Sequence, residues 1–124
     1  MIFGHGIDII EISRIQKAIE RSNRFKTKIY TANEILYCES KASKYQAFAA
    51  RFAAKEAFFK AIGTGWAKGI QWTDIEVLNN DLGKPNLILY NNAKCYLTQN
   101  NINHTHISLS HLKDIAIASV ILEV

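Results

Sequence analysis

The fold of this chain depends on residues 51–65, "RFAAKEAFFKAIGTG". Phenylalanines recur at helical intervals from residue 48 onward and alanine is abundant, so the pattern predicts the longest helix of the chain, from about Ser43 to Ile62. Gly63 and Gly65 are typical of a helix end. The alanines and phenylalanines leave little of this helix to face water, and we expect its apolar surface to be buried.

The segments before this helix predict one strand and two further helices. Residues 2–12, "IFGHGIDIIEI", are apolar and β-branched, as in a mostly buried strand. Residues 13–22, "SRIQKAIERS", have apolar side chains at helical spacing, with Ser13 as the expected N-cap. Residues 31–41, "TANEILYCESK", begin with a threonine followed three residues later by a glutamate. This capping box predicts the start of another helix.

The segments after the long helix predict two hairpins separated by a helix. Residues 73–92 contain two short β-like runs around the turn sequence "NNDLGKP". Residues 91–102 have the pattern of a short amphipathic helix, and residues 104–124 show two strand-like runs split by polar residues. Because the helices are clustered rather than alternating with strands, we predict an α+β fold, a small antiparallel sheet packed with helices, rather than a doubly wound sheet.

Length and composition indicate a globular protein of one domain, residues 1–124. The hydrophobic content of 48% and the charged content of 21% are not those of a disordered chain. Cys38 and Cys95 are too few for a disulfide framework and too far apart for a metal knuckle, so we expect free, partly buried thiols. The first residues have neither a basic leader nor an unbroken apolar run, which disfavours a signal peptide or membrane span. We therefore expect a cytoplasmic protein.

The positive charge is concentrated near the N-terminus. The net charge is only +4, but six basic residues and one acid lie between residues 13 and 30. This basic surface indicates an acidic partner, or it is a solvated face without one. A small nucleic-acid-binding module is the alternative function that this charge suggests, although no RNP-type or helix-turn-helix pattern accompanies it. The basic residues are Arg14, Lys17, Arg21, Arg24, Lys26 and Lys28.

Three charged residues in apolar surroundings are candidates for chemistry. Asp8 lies within the first strand and has to be paired, hydrogen-bonded or metal-bound there, unless it caps a turn at the strand end. Glu56 precedes Lys60 by four residues, the favourable order for a helical ion pair worth about 0.2–0.5 kcal/mol. The alternative is that both belong to a site. The carboxylates of Asp8 and Glu56 would suit Mg²⁺, which takes one or two carboxylates together with waters and phosphate oxygens.

Two further motifs suit phosphate or nucleotide contacts. Residues 63–65, "GTG", either end the long helix or also cradle a phosphate with backbone N–H groups, although no P-loop pattern is present. Residues 106–111, "HISLSH", place His106, Ser108 and Ser110 on one face of a strand. No "GxSxG" nucleophile elbow occurs, so hydrolase chemistry is disfavoured.

Four motifs together resemble a known family. They are "GIDIIEISRI" (residues 6–15), "RFAAKEAFFKAIGTG" (51–65), "DLGKP" (81–85) and "HISLSH" (106–111). In this order and at these separations they resemble the holo-acyl-carrier-protein synthases, the small, stand-alone type of the 4′-phosphopantetheinyl transferase superfamily. The resemblance covers essentially the whole chain, and the second motif is its most specific part.

The resemblance implies an activity and a set of catalytic residues. Such enzymes transfer the 4′-phosphopantetheine arm of coenzyme A to a serine of apo-acyl carrier protein, release adenosine 3′,5′-bisphosphate, require Mg²⁺ and support fatty acid biosynthesis. They are typically homotrimers with coenzyme A between neighbouring subunits. In the family pattern Asp8 and Glu56 bind the metal, and Lys60 lies beside the transferring phosphate. Our hypothesis is that Glu56 also takes the serine proton.

The resemblance also implies binding residues. Arg51 and His111 match positions that contact coenzyme A. The segments that line the nucleotide pocket are matched by Gly63, Thr64 and Pro85. The basic helix that docks the acidic carrier protein is matched by Arg14, Arg21, Arg24 and Lys28. The residue after the closing histidine is often small and hydroxylated in this family, whereas this chain has Leu112, so a contact to the nucleotide is expected to be missing.

Overall fold

The structure is a computed structural model that describes residues 1–63 and 69–124. Four helices follow one another in the chain rather than alternating with strands, as expected for an α+β fold. In chain order they are β1 (Ile2–Glu11), α1 (Ile12–Arg21), α2 (Asn23–Ile29), α3 (Ala32–Glu39), α4 (Lys44–Ile62), a 3₁₀ turn (Trp72–Asp74), β2 (Ile75–Asn79), β3 (Pro85–Leu89), α5 (Asn91–Gln99), β4 (His104–His111) and β5 (Ile115–Glu123).

The strands form two antiparallel sheets. The larger has the order β1-β5-β4, and the smaller is the β2–β3 hairpin. In the larger sheet Asp8 lies opposite Ala118, which lies opposite Leu109. Directly paired residues point to the same face of a sheet. Asp8 therefore shares a face with Ala118 and the other buried residues of β5, which are Ala116, Val120 and Leu122, and this face packs against α4.

Helix α4 approaches β1 so closely that two glycines are required. A Cβ atom on Gly6 would lie 1.8 Å from the carbonyl oxygen of Ala57, and one on Gly4 would lie 1.9 Å from that of Ala61. Because the obstructing atoms are backbone, they cannot move aside as a flexible side chain would. Strand and helix thus touch through their backbones, which brings Asp8 beside the last turns of α4.

Most of the predicted elements are confirmed. The long helix runs over Lys44–Ile62, and Gly63 ends it with a left-handed φ of 78°. Thr31 and Glu34 form the predicted capping box, in which each side chain bonds the other residue's backbone N–H. The two hairpins and the α+β class are also as predicted.

Three sequence expectations need correction. Ser13 is not an N-cap: α1 begins at Ile12 with Glu11 in the N-cap position, and the carbonyl of Asp114 in the β4–β5 turn accepts from Ile12 N–H (2.9 Å) in place of a side-chain cap. A separate helix, α2, went unpredicted because its basic residues mask a weak apolar pattern. Cys38 and Cys95 are both free, but only Cys38 is buried.

The expected roles of Thr64 and Gly65 fall outside the described residues. Among the helices that the structure describes, none is long and apolar enough to cross a bilayer.

Candidate active site

Asp8 and Lys60 join β1 to the last turn of α4. The Lys60 ammonium donates to the Asp8 carboxylate at 3.0 Å and to the carbonyl oxygen of Ile7, also at 3.0 Å. The side chain of Asp8 is 15% exposed and that of Lys60 is 54% exposed. The aspartate is therefore held at the edge of the core, while the lysine reaches it from solvent.

Glu56 lies near this pair, one turn before Lys60 on α4. Its side chain is half-buried, and burial raises the pKa of the Glu56 carboxyl. The negative charge of Asp8 raises the pKa of Glu56 further, whereas Lys60 and Arg14 act in the opposite direction. Of the two alternatives for Glu56 and Lys60, the helical ion pair is not formed: Lys60 bonds Asp8, and the part of the chain that the structure describes offers Glu56 no hydrogen-bond partner.

The carboxylates of Asp8 and Glu56 fit a hard cation such as magnesium better than a zinc ion. Among residues 1–63 and 69–124, no group of three or more histidines, cysteines or acids could hold a metal. A two-carboxylate set is too small for a structural zinc site. It suits Mg²⁺, which completes its shell with waters and substrate phosphates. The unpaired carboxylate of Glu56 beside Asp8 is what such an ion would neutralise.

Arg51 forms a second candidate site, in a cleft of about 330 Å³. The arginine is 3% exposed, donates to Asn79 Oδ1 (2.6 Å) and to the Ala47 carbonyl (3.4 Å), and lies 4.3 Å from the centre of the Tyr37 ring. Within the described chain its buried Nε–H has no acceptor. His111, at the exposed end of β4, lines the same cleft. The cleft is basic and concave, which suits an anionic ligand.

Two of the remaining predicted pocket residues, Pro85 and Gly63, lie in the described part of the chain. Pro85 begins β3 and lies opposite Asn79, the partner of Arg51, so it is placed near the Arg51 cleft. Gly63 is exposed at the end of α4. As far as the structure describes it, the lining of the cleft does not include Asp8, Glu56 or Lys60. One chain thus carries two separate groups: Asp8, Glu56 and Lys60 in one, and Arg51 and His111 in the other.

The predicted partner-binding residues are all exposed and belong to α1 and α2. They are Arg14, Arg21, Arg24 and Lys28. The charge of Arg14 reaches Glu56, so this basic surface begins beside the Asp8 group. Lys26, from the same run, is instead paired with Glu39 at 3.3 Å.

Sequence patterns missed several residues around these groups. Asn79 and Tyr37 fix Arg51, but neither belongs to a motif that points to a ligand. Lys55 and Glu34 form a fully buried ion pair with an N–O distance of 2.7 Å. A signal for it was present, since Lys55 is the one lysine within a run of buried alanines and phenylalanines. Because the capping box already accounts for Glu34, its second role in the ion pair with Lys55 was not expected.

Comparisons with known proteins agree over almost the whole chain. The sequence model of the 4′-phosphopantetheinyl transferase superfamily matches residues 4–120. The holo-[acyl-carrier-protein] synthase of Solibacter usitatus (strain Ellin6076) is 48% identical over 124 residues, which covers 99% of each chain.

Two solved structures of holo-acyl-carrier-protein synthases are also similar. The enzyme from Neisseria meningitidis has a TM-score of 0.91 at 32% identity and 99% coverage of both chains. The enzyme from Bacillus anthracis, solved in complex with coenzyme A (3′,5′-ADP), has a TM-score of 0.82 at 42% identity, covering 99% of this chain and 97% of that one. The motif resemblance is thus confirmed, and the chain belongs to the 4′-phosphopantetheinyl transferase superfamily.

Proposed function

We propose that this chain, acting as one domain, transfers the 4′-phosphopantetheine group of coenzyme A to a serine of apo-acyl carrier protein. The products are holo-acyl carrier protein and adenosine 3′,5′-bisphosphate. The observation that carries the proposal is the convergence of Asp8, Glu56 and Lys60 at the α4–β1 contact of a chain that matches the superfamily over residues 4–120. The named activity of the relatives supports the same reaction.

Asp8 and Glu56 would hold the magnesium ion. Both offer carboxylate oxygens at the edge of the core, and the position of Glu56 without a hydrogen-bond partner in the described chain leaves its oxygens available. A magnesium ion held by these two carboxylates would supply positive charge to the pyrophosphate of coenzyme A and so favour departure of the leaving phosphate.

Lys60 and Glu56 would act on the reacting groups. The serine oxygen attacks the phosphorus next to the pantetheine arm, and the bond from that phosphorus to the bridging pyrophosphate oxygen breaks. The ammonium group of Lys60 is half exposed and can neutralise the charge that develops on the transferred phosphate. Glu56 accepts the serine proton. No covalent intermediate on this chain is needed, since the nucleophile belongs to the carrier protein.

The Arg51 cleft would bind the nucleotide part of coenzyme A. Arg51 is fixed by Asn79 and Tyr37 and retains a buried N–H without an acceptor in the described chain, so it is prepared for a phosphate oxygen. His111 adds a donor at the rim of the same cleft. Pro85 and Gly63, with Thr64, would line the neighbouring part of the pocket.

A homotrimer would bring the two groups together. The face of the larger sheet opposite α4 leaves Ile7 53% and Ile9 62% exposed. Exposed apolar side chains on one sheet face are typical of a subunit interface. Packing these faces in a trimer would let the Asp8 group of one subunit meet the Arg51 cleft of its neighbour, with coenzyme A between them.

The basic surface of α1 and α2 would dock the acyl carrier protein. Its four cations are all exposed, and the charge of Arg14 already acts on the Glu56 carboxylate. An acidic protein partner accounts for this surface better than a nucleic acid, because the relatives are named for acyl carrier protein. We place the reaction in the cytoplasm, in the supply of carrier protein for fatty acid biosynthesis.

Intact-protein mass spectrometry tests the proposed function. The chain is incubated with apo-acyl carrier protein, coenzyme A and Mg²⁺, and a parallel sample contains a chelator. We expect the carrier to gain the mass of one phosphopantetheine, and the gain to disappear with chelator. No gain with several different carrier proteins would refute the activity, and a gain that survives the chelator would refute the metal requirement alone.

A further inference from the structure

Lys55 and Glu34 lie at the centre of the fold and take no part in the proposed chemistry. Both are 0% exposed, and their N–O distance is 2.7 Å. The Lys55 ammonium also donates to the carbonyl oxygens of Ile29 (2.6 Å) and Trp72 (3.1 Å). An ammonium group has three protons to donate, and here each has an acceptor. The acceptors belong to the end of α2, to α3 and to the turn before β2.

Glu34 extends this connection to the smaller sheet. Its Oε1 also accepts from the N–H of Thr31 (2.9 Å), and its Oε2 accepts from the N–H of Val77 on β2 (2.9 Å). Burying two charges costs desolvation energy that their attraction often fails to recover, so stability alone is a weak reason for such a pair. A pair that bonds fixed backbone groups on four segments can instead define how those segments are arranged.

The contact between α4 and β1 does not define that arrangement by itself. Seven of the 19 residues of α4 are alanines, and the strand presents Gly4 and Gly6 to them. Helix packing is normally fixed by side-chain ridges that fit into grooves. Alanine against glycine offers few such ridges, so this contact alone fixes the rotation and axial position of α4 only weakly. Polar anchors add to it: Lys60 bonds Asp8 and Ile7 on β1, and Lys55 bonds α2, α3 and the turn before β2.

We propose that Lys55 is a positioning residue for the transfer reaction: its three hydrogen bonds fix the rotation and axial position of α4, and thereby the placement of the Glu56 carboxylate against Asp8. The proposal rests on the proposed function. A side-chain end lies about 5–6 Å from the helix axis, so a rotation of about 20° would move it by about 2 Å. Mg²⁺ requires oxygen ligands close to 2.0–2.1 Å, and this displacement would separate the two carboxylates too far for one ion.

The test removes the ion pair without leaving a buried charge. The double variant Lys55→Met with Glu34→Gln replaces both charges by neutral side chains of similar length. Ile75→Val is the matched control, because Ile75 is fully buried at the start of β2 and its side chain takes no part in the ion pair. Circular dichroism and thermal unfolding establish that each variant is folded. Binding of Mn²⁺, in the presence of coenzyme A, is then measured by electron paramagnetic resonance, and kcat is measured with Mg²⁺.

We expect the folded double variant to bind Mn²⁺ at least about tenfold more weakly and to lose kcat in parallel, since 1.4 kcal/mol in binding free energy corresponds to tenfold. The control should lower the unfolding temperature but keep the Mn²⁺ affinity. A folded double variant with wild-type Mn²⁺ affinity and kcat would overturn the positioning role. If the double variant does not fold, Glu34→Asp decides, because it keeps both charges and shortens only the carboxylate arm: weaker Mn²⁺ binding supports the role, and unchanged binding overturns it.

A failure of the proposed function and a failure of the positioning role give different experimental results. A wild-type protein that transfers no phosphopantetheine would refute the proposed function. An active wild type whose folded variants bind Mn²⁺ equally well would refute only the positioning by Lys55.

Discussion

Lys60 on α4 and Asp8 on β1 are joined by a hydrogen bond of 3.0 Å that crosses the contact between the helix and the strand. The two residues lie 52 positions apart in sequence and meet because Gly4 and Gly6 let the helix touch the strand. The ammonium group also bonds the backbone of Ile7, so it is held at the strand even if Asp8 takes another partner. A cation poised in this way can neutralise a phosphate without leaving its place.

Replacing Lys60 is expected to impair the reaction and to spare the fold. Lys60→Ala should lower kcat by about 10²–10³-fold, the usual loss when one donor to developing charge is removed. The unfolding free energy should change by less than about 1 kcal/mol, because a half-exposed ion pair contributes little. Steady-state kinetics and chemical denaturation measure the two effects. Lys94→Ala, which removes an exposed lysine of α5, is the control and should change neither.

Gly6 is expected to be far less replaceable than its small size suggests. Gly6→Ala would place a methyl group 1.8 Å from the carbonyl oxygen of Ala57, and separating helix from strand should cost about 3 kcal/mol or more. Gly63→Ala meets no atom within 4 Å and suffers only from its φ of 78°, which should cost about 1–2 kcal/mol. Denaturant unfolding of both variants compares steric exclusion with backbone strain. Equal losses would contradict the backbone contact.

The sequence predicted those features that depend on local chemistry. The capping box of Thr31 and Glu34, the end of α4 at Gly63 and both hairpins follow from neighbouring residues, and the structure agrees. The partner of Lys60 was not predictable in the same way. A spacing of four residues favours Glu56, but the tertiary contact with β1 brings Asp8 to it instead.

The buried ion pair of Lys55 and Glu34 was missed for a related reason. Its hydrogen-bond partners come from segments scattered over residues 29–77, and no local pattern indicates that they converge. The separation between the Arg51 cleft and the Asp8 group is likewise a property of the folded chain, since Arg51 and Glu56 belong to one helix and point to different neighbours.

Arg51 is expected to act on the binding of coenzyme A more than on the chemical step. Arg51→Met should raise the KM for coenzyme A by about tenfold or more, since a charge-assisted hydrogen bond contributes about 1.5–3 kcal/mol. His111→Asn, at the exposed rim of the same cleft, should raise it by less and leave the unfolding temperature unchanged. Kinetics at varied coenzyme A concentrations provide the comparison. A fall in kcat with unchanged KM would place Arg51 elsewhere in the mechanism.

Glu56→Gln is expected to abolish turnover without destabilising the metal-free protein. Burial and Asp8 raise the pKa of Glu56 above 4.5, so the folded state favours the neutral carboxyl. The stability from this group is therefore complete below the unfolded pKa and is lost as pH rises through the folded pKa. At pH 7 in chelator, the wild type bears this cost and the glutamine variant does not.

Thermal unfolding with and without Mg²⁺ checks this expectation for Glu56. The variant should unfold at or above the wild-type temperature in chelator, and added Mg²⁺ should raise the unfolding temperature of the wild type alone. Full activity in Glu56→Gln would eliminate its role as the proton acceptor. Equal stabilisation of both proteins by Mg²⁺ would eliminate its role as a metal ligand.

The two cysteines are expected to differ sharply in reactivity. Burial raises the pKa of the Cys38 thiol from 9.0 to about 12, whereas Cys95 is exposed on α5. Because the thiolate is the reactive form, a thiol reagent at pH 8 should modify one cysteine in the folded protein and two after unfolding. Cys95→Ser should leave no rapidly reacting thiol.

The raised pKa of Cys38 also predicts a loss of folding stability at alkaline pH. A thiol whose folded pKa is raised contributes stability fully below its unfolded pKa near 9.0, and that stability is lost as pH rises toward about 12. Cys38→Ala should therefore show a smaller decline in unfolding free energy between these pH values than the wild type. Rapid modification of Cys38 in the folded Cys95→Ser protein at pH 8 would contradict the burial of this side chain.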